Sequence, residues 1–301
     1  MSLLDKFSAV EIKTDSRISE EDRDFCQKHQ KVYLEAREGL IALKKKWKEL
    51  YDSQMAVMEG LADSEYTRDR YIKVEGLSTS SLNNKIELLP ELFVTSLVNY
   101  FNGKYHVSVS VEAAKKALLP ESPKYDWEKS RAKEYHKMMR EFPLNYEDVI
   151  EQIFVQLGGR TFEQRALDEL KEKCHKFAWN IYHSKVEYEV KNDTIQFNGY
   201  ACSYESWMSR CVWKINDGMR DVLRALAHFE TQQLDYLPKD IAFLVGYDDK
   251  CSSSYDFDYE KPKKIRMFKN HRVDLKFESK TYASEFAEKY LGLVYQGERA
   301  A

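Results

Sequence analysis

The chain of 301 residues is 43% hydrophobic and 13% aromatic, enough apolar surface for more than one core. Its 47 Lys and Arg nearly balance 50 Asp and Glu, for a net charge of −3; this excludes a protein whose whole surface grips phosphate but leaves room for a local basic patch. No apolar run has the length of a membrane helix, the start Met1–Lys6 is too polar for a secretory leader, and Cys26, Cys174, Cys202, Cys211 and Cys251 follow neither disulfide nor zinc spacing. The expectation is a cytoplasmic protein with reduced thiols, no membrane segment, no metal and no cofactor.

In chain order, residues 1–18 read as an irregular or short-strand lead-in. Ser19-Glu20-Glu21-Asp22 then resembles an N-cap followed by an acidic first turn. Behind it Tyr33, Ala36, Leu40, Leu43, Trp47, Leu50 and Val57 recur in steps of three and four, with Gln54 the polar interruption. The spacing predicts a helix over about 19–59, roughly 60 Å long at 1.5 Å per residue. A helix of that length must pack on another helix or on another subunit, and Lys44-Lys45-Lys46 would ride its wet flank.

Ser78–Ser81 and Asn83-Asn84 read as a loop. The apolar segment 88–101 fits helix or strand equally, and Asn102-Gly103 would break it. Tyr105, Val107, Val109 and Val111 alternate as a strand does, and Glu112–Leu119 reads as a helix stopping before Pro120. Pro120-Glu121-Ser122-Pro123 is the candidate boundary between an N-terminal region (1–120) and a C-terminal domain (121–301).

Residues 126–184 read as helices. Ile150, Ile153, Phe154 and Leu157 form one apolar face, ended by Gly158-Gly159, and Thr161 caps the next helix. Val186–Val190, a turn at Asn192-Asp193 and Thr194–Phe197 make a strand pair. Residues 205–229 read as a helix. An acidic loop over 248–260 leads to a hairpin in which Ile265, Met267, Val273, Leu275 and Phe277 alternate with Arg266, Phe268, Arg272, Asp274 and Lys276. Asn270-His271 supplies its turn, and Thr281–Tyr290 the last helix. The fold class is α+β: a long N-terminal helix region plus helices packed on antiparallel β-hairpins.

No catalytic signature matches that hairpin in clarity. Glu189-Val190-Lys191, with an upstream acid such as Asp168, mimics a metal-dependent nuclease centre, but also reads as the charged outer face of an ordinary hairpin. The aspartates over 248–258 lack calcium-loop spacing. Cys174 and His175 point about 100° apart on a helix, so no nucleophile–base pair is implied. On the final hairpin Lys264, Arg266, Lys269 and Arg272, interleaved with aromatic rings, are candidates for nucleic-acid contact; the competing reading is a sheet face kept in solution by charge.

Ile265–Asn270 followed by Val273–Phe277 resembles the closing hairpin of a phage and prophage domain family of unknown function, some members of which are attached to DNA methyltransferases. Phe162–Leu167 is similar to that family's upstream helix, and the resemblance spans roughly residues 145–295. The chain departs from the pattern at His271, where the family tends to have Gly, and residues 1–140 carry no methyltransferase motif. In size, in its long helix and in its lack of a catalytic motif, the chain is also similar to the class of Gabija anti-defence proteins. That likeness implies a non-enzymatic inhibitor in an infected bacterial host, a homo-oligomer whose partner is a host defence protein complex. Tyr33, Leu40, Trp47 and Leu50 would anchor the partner contact. The alternative function is a nucleic-acid-binding accessory module using the basic hairpin.

Overall fold

The computed structural model describes residues 17–58, 78–123, 129–142, 144–180, 185–207, 210–247 and 249–292. It is an α+β protein. Two compact units divide it, one of residues 1–104 and 109–159, the other of 105–108 and 160–301. The division thus falls at Gly159–Arg160, whereas the sequence placed it at Pro120–Pro123. The cause is local. Gly158 and Gly159 both take positive φ (64° and 77°) and end one helix. Thr161 then opens the next with a reciprocal capping box to Gln164.

The first unit is helical: α1 (Glu20–Met58), α2 (Thr79–Tyr105), α3 (Val111–Leu118), α4 (Lys129–Glu141) and α5 (Tyr146–Leu157). Helix α1 starts where expected because Ser19 Oγ accepts the Asp22 N–H at 3.1 Å while the Asp22 carboxylate accepts the Ser19 N–H at 3.2 Å. Helices α1 and α2 run antiparallel. Lys104 Nζ meets Asp22 at 2.7 Å, the Phe25 and Tyr100 rings stack at 3.7 Å, and Tyr33 stacks on Phe93 at 4.7 Å. The face of α2 turned inward carries Leu82, Ile86, Phe93, Val94, Leu97, Val98 and Phe101, all buried.

Several expectations are corrected in this unit. Ser78–Ser81 and Asn83-Asn84 are no loop: Ser78 and Ser81 exchange hydrogen bonds that start α2. Asn102-Gly103 does not break it, and the segment 88–101 is helical throughout, Pro90 included. Residues 107–110 are extended, as their alternation suggested, yet pair with no strand among the described residues. Side chains satisfy their amides instead. Asn102 Oδ1 takes the Val109 N–H at 2.9 Å and Gln156 Oε1 the Ser110 N–H at 2.9 Å. Within the second unit, Glu169 Oε1 takes the Ser108 N–H at 3.1 Å.

The second unit begins with α6 (Phe162–Ala178) and the short strand pair β1 (Trp179–Asn180) and β2 (Lys185–Val186). Strands β3 (Tyr188–Lys191) and β4 (Thr194–Phe197) follow, then a ribbon of β5 (Cys202–Trp207) and β6 (Arg210–Ile215). Helices α7 (Asp217–Thr231) and α8 (Lys239–Gly246) precede β7 (Ser254–Asp256), β8 (Pro262–Met267) and β9 (Val273–Phe277). The last helix, α9 (Lys280–Phe286), runs into a π turn at Ala287–Leu291. The ribbon corrects the helix expected over 205–229. Cys202–Trp207 pairs with Arg210–Ile215, and the helix waits for Asn216, whose side chain caps the Met219 N–H at 2.8 Å.

The main sheet is fully antiparallel, in the order β3-β4-β9-β8-β7. Its register separates two faces. The rung Val190, Ile195, Leu275, Ile265, Tyr255 faces the core, and the rung Glu189, Gln196, Asp274, Arg266, Ser254 faces outward. Ile195, Phe197, Ile265, Met267, Val273, Leu275 and Phe277 join one apolar cluster with Val222, Leu223 and Leu226 of α7 and with Phe286 and Tyr290. Each such side chain contributes about 1.5–3 kcal/mol on burial. Gly218, in the first turn of α7, permits close approach of α6, since a Cβ there would lie 2.5 Å from the Phe177 ring. Among the described residues no helix is long and apolar enough to cross a membrane.

Candidate interaction surfaces

The contacts between α1 and α2 set the fate of the four anchors expected on α1. Tyr33 is buried against Phe93, so it serves the unit's own core. Leu40 and Trp47 are half-buried. Residues 48–58 are the last turns of α1. On this arm Leu50 is 49% exposed, Tyr51 43% and Val57 74%. Leu43, Leu50 and Val57 stand seven residues apart, the spacing of one seam of a coiled coil. Lys44 and Lys46 flank that seam, with Lys46 paired to Glu49 at 3.2 Å.

The basic hairpin resolves into spent and available cations. Lys264 pairs with Asp256 at 2.9 Å and Arg272 with Asp274 at 3.0 Å, along the outer face of the sheet. Lys263 meets Glu278 at 3.3 Å, and Lys276 meets Asp193 at 3.5 Å. Arg266 and Lys269 are exposed and lie over rings: Arg266 is 4.9 Å from the Phe268 centroid and Lys269 is 4.6 Å from that of Tyr204. Arg272 also covers Phe268, at 4.1 Å.

The turn is held by the Phe268 N–H donating to Arg272 O and the His271 N–H donating to Phe268 O, both at 2.9 Å. His271 takes φ 70°, the left-handed conformation that ends a three-residue hairpin loop. That conformation suits glycine, which has no Cβ to oppose it. His271 holds it with its Nδ1 3.0 Å from Cys202 O, a contact to the β5–β6 ribbon. Beside it stands Tyr200, with φ 35°, 77% exposed, its ring 5.3 Å from that of His271. Tyr200 and Tyr204 escaped the sequence reading. The alternation of Val212, Trp213, Lys214 and Ile215 before the cap Asn216 was the signal for the ribbon that carries Tyr204. No local pattern marks the exposure of Tyr200.

The remaining chemistry is structural. Glu189 and Lys191 pair with each other at 2.8 Å on the exposed face, and Asp168 pairs with Arg160 at 3.0 Å. Among the described residues no group of three or more His, Cys, Asp and Glu is placed to hold a metal ion. Cys174 is fully buried, and burial together with Asp221 pushes its thiol up, while exposed His175 lies 3.1 Å from Leu291 O. Lys250 is buried yet donates to Tyr247 O and sits 5.1 Å from the Phe243 ring centre. His228 and the Tyr290 hydroxyl share a buried hydrogen bond of 2.6 Å, and desolvation, with Lys289 and Lys171 nearby, lowers His228 to about 4. Compared with protein-family models, with curated proteins and with solved structures, the chain finds no match.

Proposed function

We propose that this chain is a non-enzymatic binding protein, encoded by a phage or prophage, that inhibits a host antiphage defence complex of the Gabija type by assembling around it. The observation that carries the binding role is the second half of α1, where Leu43, Leu50 and Val57 are exposed seven residues apart. Exposed apolar side chains in a row on a helix gain free energy by docking on a second surface. The lysines beside them select an acidic partner surface, because like charge at the rim opposes association. The phage and defence assignment rests on the resemblance of the closing hairpin and on the class likeness of the whole chain.

The experiment mixes the purified chain with a purified Gabija-type nuclease complex and follows co-elution by light scattering and DNA cleavage by gel. The expected result is a larger assembly and lost cleavage. The double variant Leu50→Glu, Val57→Glu should abolish both while shifting stability by no more than about 0.5 kcal/mol, because these side chains are on the surface. A chain that remains a monomer and leaves cleavage intact overturns the reading.

A further inference from the structure

Where the β8–β9 hairpin tip meets the β5–β6 ribbon, the Tyr200 ring lies beside that of His271, Lys269 lies over Tyr204 and Arg266 over Phe268. Charge for solubility accounts for the rest of the sheet's outer face, where Lys264, Lys276 and Lys191 each sit beside a carboxylate. It does not account for Tyr200. A non-glycine residue at φ 35° is strained. The surroundings hold it there: the Asn216 side-chain amide donates to Tyr200 O, and the next two amides, of Ala201 and Cys202, donate to His271 O at 3.0 and 3.3 Å. The outcome of that bracing is an aromatic ring displayed to solvent beside His271, in the turn that also carries Lys269.

We propose that this surface is a binding site for single-stranded nucleic acid, with bases stacking on Tyr200 and phosphates met by Arg266 and Lys269. An exposed ring offers a face to any unpaired base, whereas a duplex keeps its base faces stacked. Asp274, flanked by Arg272 and set across the β8–β9 ladder from Arg266, offsets part of the charge, so the contact is small and sequence-tolerant.

The test measures fluorescence anisotropy of a labelled oligothymidylate with the full chain. Binding should weaken about 7-fold between about 50 and 200 mM salt, as two phosphate contacts on a single strand require. Tyr200→Gly should weaken binding roughly 10-fold, the loss of one stacked base, while its melting temperature holds or rises because glycine adopts the left-handed backbone freely. The pair Arg266→Ala, Lys269→Ala should flatten the salt dependence, and Lys191→Ala, on the far edge strand, should bind as the parent does. Three results would overturn the proposal: no salt-dependent binding by the parent, parent-like binding by Tyr200→Gly, or a duplex bound as tightly as the single strand.

Discussion

Asp22 ties the start of α1 to the end of α2. Its fully buried carboxylate accepts from Ser19 Oγ at 2.7 Å, Tyr100 Oη at 2.9 Å and Lys104 Nζ at 2.7 Å. Desolvation works against the Lys104 ammonium, but the bonds to Asp22, Glu21 and Tyr100 outweigh it and raise Lys104 above its ordinary value. Asp22→Ala and Lys104→Met should each cost about 1.5–3 kcal/mol in chemical denaturation, the loss of a charge-assisted hydrogen bond from a cluster whose other members stay paired. The double variant should cost less than the sum. His228 behaves in the opposite sense. Its buried imidazole is lowered to about 4 from the ordinary histidine value near 6.5, so the unfolded chain takes up a proton first. Its contribution is complete above about 6.5 and is lost as pH falls toward 4, by up to roughly 3 kcal/mol. Denaturation midpoints between those pH values should show that slope, and His228→Phe should remove most of it.

At the scale of elements, the same alternation has two outcomes. Over β8 and β9 it yields a paired hairpin, because the inward set finds α7 and α9 behind it. Over 107–110 it yields an extended strap without a ladder, because Asn102, Gln156 and Glu169 side chains reach the amides first. Helix α1 makes the complementary point. Of its three-and-four ladder, Tyr33 is buried against Phe93, whereas Leu43, Leu50 and Val57 are exposed. Cutting the exposed part short by deleting residues 51–58 together with the segment that follows would confound chain connectivity; the substitutions at Leu50 and Val57 isolate the surface.

At the scale of the whole molecule, two units with separate cores predict separable unfolding. Ile153→Ala, buried in the helical unit, and Leu223→Ala, buried under the sheet, should each lower one urea transition by about 2–5 kcal/mol and leave the other in place. A single transition moved equally by both variants would show that the units unfold as one. The two candidate surfaces also lie in different units, the arm in the first and the hairpin tip in the second. Their variants therefore report on protein assembly and on nucleic-acid binding independently.

The elements with local signals were legible in the chain: the cap at Ser19, the stop at Gly158-Gly159, the cap at Thr161 and the period of two in the closing hairpin. Each depends on neighbours within a few residues, so short-range sterics and hydrogen bonding suffice. Long-range packing settled which apolar positions of α1 are covered, whether 107–110 joins a sheet, and that Trp213 and its neighbours form a ribbon rather than a helix. It alone placed Tyr200 beside His271, because a left-handed tyrosine is held by partners from β5, α7 and the distant hairpin turn. Those partners are far apart in the chain, and nothing in the residues around Tyr200 specifies where they will be.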